Sequence, residues 1–291
     1  MSAPSGRPGD VSRLPHTVSR PRRVAWERTP EQLRRAVEAS VGPVHSATSA
    51  SAGVNAYLAL TLDVPSTRVF LKAMPRAHRA AYTLANEARI APGVAGISPR
   101  VLHHGTTSTW TFLVYEHVEG RHADLSADST DLEALAGVMR RLCAAAGHDT
   151  SASTPLQDRW ARFGTDLDLG LLAGDRLVHT DLNSGNILVG EDGTARLVDW
   201  ALPARAAPWL NLGFLLAGLI DAGAAPAGAE RWAADTFPEW LAAGEAAVDT
   251  FVAALARRRA ERAASCPVRR RAERRAQALA ARRWLRAHRG D

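Results

Sequence analysis

A polar loop followed by a tight hairpin occupies residues 177–200. An apolar run leads into the loop, which contains Asp181 and, five residues later, Asn186. Two further apolar runs flank Gly190-Glu191-Asp192-Gly193-Thr194, and this pattern predicts a β-hairpin because Asp-Gly tolerates the positive φ angles of tight turns. The hairpin would bring Asp199 back beside Asn186. The sequence therefore predicts that two carboxylates and one carboxamide are gathered in a small space.

These three side chains are of the type that phosphoryl transfer requires. The reaction needs a group that orients or deprotonates the acceptor hydroxyl, and hard oxygen ligands for a Mg²⁺ ion that bridges the phosphates. One carboxylate can serve as the base, while the other, with the carboxamide, can hold the metal. Taken alone, Asp181 and Asn186 are equally compatible with ordinary turn and capping residues. When they are considered together with Asp199 and with Lys72, the only lysine of the chain, the order of the four residues favours the chemical interpretation.

The loop and three shorter motifs resemble those of a known family. The segment His179-Thr180-Asp181-Leu182-Asn183-Ser184-Gly185-Asn186 fits the pattern His-x-Asp-x-x-x-x-Asn without a gap. With this motif the chain resembles the aminoglycoside phosphotransferases and their relatives, over residues 30 to about 260. It is most similar to an actinobacterial branch with the motifs Phe70-Leu71-Lys72, Glu116-His117-Val118-Glu119-Gly120-Arg121-His122 and Val198-Asp199-Trp200. The resemblance implies an α+β, bilobal protein-kinase-like fold with a small β-rich N-lobe and a larger, mostly helical C-lobe.

The resemblance also implies a role for each matching residue. Asp181 matches the catalytic base, and Asn186 and Asp199 match the Mg²⁺ ligands. Lys72 matches the lysine that contacts the α- and β-phosphates of ATP, with GTP possible, and Glu87 matches its partner on a helix. On sequence alone, Lys72 and Glu87 could instead be solvated surface charges.

Two further segments match the nucleotide site of the family more loosely. The backbone from Glu116 to Val118 would read the adenine edge, and the loop around Gly53 would cover the phosphates. A single glycine is not a phosphate-binding fingerprint, and a plain hairpin turn at Gly53 is an equal alternative. The chain departs from the family at Asn211, where many relatives have an aspartate that is thought to hold the catalytic loop.

The comparison with protein kinases indicates the kind of acceptor. The chain has no Ala-Pro-Glu segment and no room for a long activation loop, because helical sequence resumes soon after Asp199. The sequence therefore predicts a phosphotransferase that uses Mg²⁺ and ATP and takes a small-molecule hydroxyl as its acceptor. The alternative is a catalytically silent kinase-like protein that binds a nucleotide or a partner.

Charge is distributed unevenly along the 291 residues, whose net charge is +6. Residues 257–291 carry +10 and residues 1–30 carry +4, so the body of the chain carries −8. A mildly acidic body does not favour binding to the negatively charged backbone of a nucleic acid. Nucleic-acid binding is therefore not expected unless the arginine-rich end acts as a binding arm. The acidic body would suit a cationic aminoglycoside whereas the basic end argues against one, so the acceptor stays open. Of the 36 Lys and Arg residues, only Lys72 is lysine.

Composition and hydrophobic periodicity predict four regions along the chain. Residues 1–28 are expected to be disordered, 29–118 to form the nucleotide-binding N-lobe, 119–256 to form the catalytic, acceptor-binding C-lobe and 257–291 to form an arginine-rich helix. The N-terminal residues lack the pattern of a signal peptide and no long apolar run is present, so we expect a cytoplasmic protein without a membrane partner. The predicted elements of the N-lobe are a helix from Thr29 to about Ser40, strands Val54–Leu62, Arg68–Ala73 and Thr109–Tyr115, and a helix Ala77–Ala91.

Overall fold

A five-stranded antiparallel sheet forms the N-lobe. The computed structural model describes residues 25–50, 57–145, 150 and 153–291. The strands run in the spatial order β1-β2-β3-β5-β4, and helices α1 and α2 accompany the sheet. The elements are α1 (Glu31–Val41), β1 (Ser46–Ser49), β2 (Leu58–Val64), β3 (Thr67–Pro75), α2 (Tyr82–Ile90), β4 (Val101–Thr106) and β5 (Trp110–Glu116).

The side chains of each strand alternate between the two faces of this sheet. In β3, Val69 and Leu71 point into an apolar core shared with Leu60 and Leu62 of β2. Successive side chains of a strand point to opposite faces, so Lys72 lies on the face that is covered by α2. The central strand of the sheet therefore holds its single ammonium toward the interior of the molecule.

The start of the N-lobe differs from the prediction. Trp26 belongs to a short 3₁₀ turn and is 7% exposed within the N-lobe core, although residues 1–28 were expected to be disordered. The Thr29 hydroxyl donates to the Trp26 carbonyl at 2.7 Å instead of capping α1, whose N-cap is Pro30. Helix α2 begins at Tyr82, five residues later than predicted. The first part of the predicted strand Val54–Leu62 lies outside the described residues.

The C-lobe combines many helices with two small sheets. Strand β6 pairs with β8 and β8 with β9, and β7 pairs with β10, all antiparallel. The elements are β6 (Gly120–His122), α3 (Leu132–Ala144), α4 (Leu156–Trp160), β7 (Arg176–Val178), β8 (Ile187–Gly190), β9 (Ala195–Leu197), β10 (Ala204–Ala206), α5 (Leu210–Asp221), α6 (Pro226–Thr236), α7 (Pro238–Ala243), α8 (Glu245–Ser265) and α9 (Arg271–Arg289).

Helix α5 is the centre of the C-lobe core. Its residues from Leu210 to Ile220 are all buried, as expected for a helix that is apolar on every side. Aromatic rings surround it: Phe251 of α8 stacks on Trp160 at 5.6 Å and meets Phe214 edge-on at 5.2 Å. This packing fixes the N-terminus of α5 directly below the loop that was singled out in the sequence.

The arginine-rich end folds as parts of two helices, not as the single helix predicted for 257–291. Helix α8 continues unbroken through Arg257, and the chain turns back at Pro267, which has no N–H to continue the helical ladder. Helix α9 then runs antiparallel to α8, as the contacts from Arg259 to Gln277 and from Arg289 to Asp249 indicate. Trp284 of α9 is fully buried in the C-lobe core. The basic end is therefore an integral layer of the C-lobe.

Among the described residues, no helix has both the length and the apolar character that crossing a lipid bilayer would demand.

Candidate active site

The predicted hairpin is present and delivers Asp199 to the centre of the molecule. Strands β8 and β9 pair in the register Ile187 to Leu197, and Gly193 in the turn has a φ of 71°. Two residues after the end of β9, Asp199 has a φ of 67° and is the only non-glycine residue with a positive φ in the described part of the chain. Such backbone is uncommon outside glycine and is typical of functional sites, where surrounding contacts hold it.

The Lys72 ammonium joins the two lobes through two carboxylates. Its Nζ lies 2.8 Å and 3.1 Å from the two carboxylate oxygens of Glu87 on α2, and 3.1 Å from Oδ1 of Asp199. Burial alone would lower the pKa of Lys72, but the negative charges of Asp199 and Glu87 outweigh it and raise the pKa well above its ordinary value. Lys72 is therefore held as a cation at the inner end of the interlobe cleft.

The catalytic-loop candidate faces this cation from the C-lobe. The Asn186 side-chain amide donates to the Asp181 carbonyl at 2.8 Å, with a longer contact of 3.4 Å to the Asp181 carboxylate. Asn186 is buried, whereas the residue Asp181 is exposed. The five-residue spacing thus produces a closed loop that anchors the amide and leaves the Asp181 carboxylate open to a substrate.

The His179 side chain holds the catalytic-loop candidate through two backbone contacts. Its Nε2 lies 3.0 Å from the Val198 carbonyl, and its Nδ1 accepts from the Asp181 N–H at 3.3 Å. These partners require a neutral ring with the proton on Nε2, and burial lowers the pKa of His179 in agreement with that state. The ring is wholly committed to its two backbone partners, so its role is structural.

Asn211, at the start of α5, holds the strand that leads into the loop. Its side-chain oxygen accepts from the His179 N–H at 2.9 Å, and its amide donates to the Leu177 carbonyl at 3.0 Å. Asn211 is 2% exposed. The departure from aspartate therefore leaves the loop anchored at two backbone groups.

A cleft of about 440 Å³ lies between the lobes and contains most of the predicted nucleotide-site residues. Lys72, Glu87, Glu116, Val118, Asn186 and Asp199 all line it. The backbone N–H of Glu116 donates to the Arg100 carbonyl at 2.9 Å, so Glu116 could offer an adenine edge only its carbonyl oxygen; the adenine contact of the Glu116–Val118 backbone stays a prediction. Gly53 lies outside the described residues.

Comparisons with known proteins show which proteins share this fold. No protein-family model and no curated protein matches the chain. Solved structures do: the AMP-bound spectinomycin phosphotransferase APH(9)-Ia aligns with a TM-score of 0.62 at 13% identity, over 88% of this chain and 98% of that one. A thermostable mutant of the aminoglycoside phosphotransferase APH(4)-Ia, in complex with ADP and hygromycin B, aligns at 0.57 with 16% identity, over 89% and 98%. Choline kinase LicA from Streptococcus pneumoniae aligns at 0.55 with 11% identity, over 86% and 96%.

The fold is that of the aminoglycoside phosphotransferases. The bilobal kinase-like architecture predicted from the motifs is therefore confirmed, and it spans nearly the whole length of both chains in each alignment. The assignment to an actinobacterial branch stays a prediction.

In this aminoglycoside phosphotransferase fold, the donor set at Asn186 and Asp199 suits Mg²⁺. Asn186 uses its side-chain nitrogen for Asp181, which leaves its amide oxygen for a metal, and Asp199 supplies a carboxylate. No group of three or more His, Cys, Asp and Glu residues in the described ranges could hold a metal ion. Mg²⁺ commonly takes one or two protein ligands and completes its shell with water and substrate phosphates, so the pair fits a metal that arrives with a nucleotide.

Two contributors to the site were not predicted from the sequence. The Tyr115 hydroxyl donates to Glu87 at 2.7 Å, and burial beside that carboxylate raises the pKa of Tyr115, which keeps it a donor. Strand periodicity could have found it, because Tyr115 is two residues from Leu113, the partner of Lys72 in the sheet. Arg159 donates to the Leu202 carbonyl at 3.0 Å and ties down the segment after Asp199; this contact depends on tertiary packing and has no local signal.

Proposed function

We propose that the protein transfers the γ-phosphoryl group of ATP or GTP to a hydroxyl of a small molecule, with Mg²⁺ as cofactor. The observation that carries the proposal is the contact of Lys72 with both Glu87 and Asp199, opposite the loop of Asp181 and Asn186. A buried cation between two lobes, next to candidate metal ligands, is the arrangement that phosphoryl transfer uses for charge stabilisation. The fold shared with phosphotransferases supports the same conclusion.

The nucleotide would occupy the cleft between the lobes. Lys72 would contact its phosphates, and Glu87, itself fixed by Tyr115, would keep the ammonium in position. Mg²⁺ held by Asn186 and Asp199 would offset the negative charge on the phosphates. These groups are preorganised by the hairpin and by α2, so little rearrangement would be needed when the nucleotide binds.

Asp181 would act on the acceptor. Its exposed carboxylate lies outside the main cleft, on the C-lobe side, where an acceptor hydroxyl can approach it. The loop holds the Asp181 backbone through His179 and Asn186 and therefore fixes where the carboxylate starts. A small acceptor fits the short connection after Asp199, because α5 begins at Leu210 and leaves no long activation segment.

Replacing Asp181 by asparagine tests the base assignment. We expect Asp181→Asn to lower turnover about a hundredfold or more while nucleotide affinity is kept, because a carboxamide cannot accept the hydroxyl proton. The measurement is Mg²⁺-dependent nucleotide consumption during a screen of hydroxylated metabolites and antibiotics, with nucleotide binding followed by titration calorimetry. Asp128→Asn, which removes an exposed carboxylate far along the chain, is the matched control.

Two results would contradict the proposal. Full activity of Asp181→Asn would remove Asp181 as the base. Tight nucleotide binding with no Mg²⁺-dependent consumption under any acceptor would favour the catalytically silent alternative.

A further inference from the structure

A second, strongly basic cavity lies on the far side of Asp181 from the nucleotide cleft. Its charged lining consists of Asp181 from the loop, Asp221 from α5, Arg258, Arg259 and Arg262 from α8, and Arg274 from α9. Residues four apart on a helix lie on one face, so Arg258 and Arg262 project to the same side of α8. The antiparallel return of the chain through Pro267 adds Arg274 from the neighbouring helix.

Within the residues that the structure describes, only one of these four guanidinium groups forms an ion pair. Arg259 forms a two-point ion pair with Asp221, at 2.7 Å and 2.8 Å. In the described part of the chain, Arg258, Arg262 and Arg274 have no carboxylate oxygen within the 4.0 Å of an ion pair; Arg274 donates to the Gln277 side chain at 2.7 Å, and Arg258 lies over the Trp160 ring at 5.7 Å. The cavity therefore presents three guanidinium groups that form no ion pair with the described residues, although the Asp181 carboxylate lies in the same cavity.

Holding these charges together is unfavourable for the protein alone. Burial lowers the pKa of Arg258, and the neighbouring charge of Arg262 lowers it further. Burial and the charge of Arg274 lower the pKa of Arg262 in the same way. Guanidinium groups nevertheless stay charged at neutral pH. The charge of Asp181 raises the pKa of Arg258, Arg262 and Arg274, but burial and mutual repulsion outweigh it, so the compensation within the fold is only partial. Such an arrangement is expected where a bound anion supplies the missing compensation.

We infer that the acceptor is a hydroxylated small molecule that carries a carboxylate or phosphate group, held by Arg258, Arg262 and Arg274 with its hydroxyl at Asp181. This inference rests on the proposed phosphotransferase function. Guanidinium groups bind carboxylates and phosphates through paired, charge-assisted hydrogen bonds, and thereby orient the rest of the molecule.

The same cavity disfavours cationic aminoglycosides as acceptors. The amino groups of an aminoglycoside would meet three guanidinium groups and the Asp181 carboxylate, since Asp221 is already paired with Arg259, and like charges in a partly desolvated site repel strongly. The enclosed space is also narrow, about 40 Å³, which suits one carboxylate or phosphate group with a water molecule. The charge distribution along the sequence left the charge of the acceptor open. The arginines of this cavity favour an anionic acceptor.

A binding experiment tests this inference separately from catalysis. With the nucleotide cleft filled by Mg²⁺ and AMP-PNP, titration calorimetry is carried out with citrate and glycerol 3-phosphate as anionic probes, glycerol as the neutral probe and hygromycin B as the cationic probe. We expect at least one anionic probe to bind, and its dissociation constant to rise about tenfold or more in Arg262→Gln and Arg274→Gln. Arg275→Gln removes the same charge from the exposed position next to Arg274 and should leave binding unchanged.

Three results would overturn the inference: neither anionic probe binds, Arg275→Gln weakens binding as much as Arg274→Gln, or hygromycin B supports nucleotide consumption. Thermal unfolding without any probe adds a second readout, because removing one of three repelling charges should raise the melting temperature of Arg262→Gln. A lower melting temperature would mean that Arg262 serves the fold and would also overturn the inference.

Failure of the proposed function would look different. If the protein does not bind AMP-PNP with Mg²⁺ but still binds an anionic probe through Arg262, the phosphotransferase proposal fails and the anion site stands. If it binds and consumes nucleotide but only with cationic or neutral acceptors, the anion site fails and the phosphotransferase proposal stands.

Discussion

Among single residues, Asn211 makes contacts that its chemical relative aspartate could only partly reproduce. Its oxygen accepts from one backbone group and its nitrogen donates to another, so both ends of its amide are used inside a buried space. An ionised carboxylate could replace the acceptor but not the donor. The sequence identified Asn211 as a departure from the family, but it could not indicate that the Leu177 carbonyl lies within reach, because that depends on how α5 packs against β7.

We therefore expect Asn211→Asp to lower the free energy of unfolding by about 1–3 kcal/mol, since the buried Leu177 carbonyl would lose its donor. Asn211→Ala should be at least as destabilising because it leaves both backbone groups without a partner. Urea denaturation of the three proteins measures the difference. An Asn211→Asp variant as stable as the unmodified protein would show that the amide nitrogen contributes nothing.

Among the helices, α9 turns the arginine-rich end into part of the core. Trp284 donates from its indole nitrogen to Glu230 at 2.6 Å, and its ring lies 6.0 Å from that of Phe251. The sequence predicted one helix here and the break was missed, although Pro267 is itself a local signal that ends a helix. Counting charge could not place Arg258, Arg262 and Arg274 beside Asp181, because only the packing of α9 on α8 brings them together.

Replacing Trp284 tests whether α9 is integral to the C-lobe. We expect Trp284→Ala to lower the free energy of unfolding by about 3–5 kcal/mol, the usual effect of removing a large buried aromatic side chain. Leu279→Ala on the exposed face of α9 should change it by less than about 0.5 kcal/mol. Chemical denaturation followed by tryptophan fluorescence and circular dichroism measures both. Equal stability of the two variants would mean that α9 is a detachable arm.

For the molecule as a whole, short-range patterns predicted local elements, whereas the bilobal kinase-like architecture was implied by the resemblance to a family. The strands, the hairpin and the loop motif are each contiguous in sequence, so their periodicity and turn residues could be recognised directly. The meeting of Lys72 with Asp199, 127 residues later, was implied only by resemblance to a family. The contact of Asn211 with Leu177 arises from packing between distant elements, which the sequence does not display.

The Mg²⁺ dependence of nucleotide binding tests the proposed metal site between the two lobes. If Asp199 holds a metal that arrives with the nucleotide, AMP-PNP should bind the unmodified protein more tightly with Mg²⁺ than without it, and Asp199→Asn should lose that difference. Asp192→Asn, in the exposed turn of the same hairpin, should keep it. Titration calorimetry of the three proteins, with Mg²⁺ and with a chelator, gives the comparison. An Asp199→Asn variant with the same Mg²⁺ dependence as the unmodified protein would contradict the proposed site.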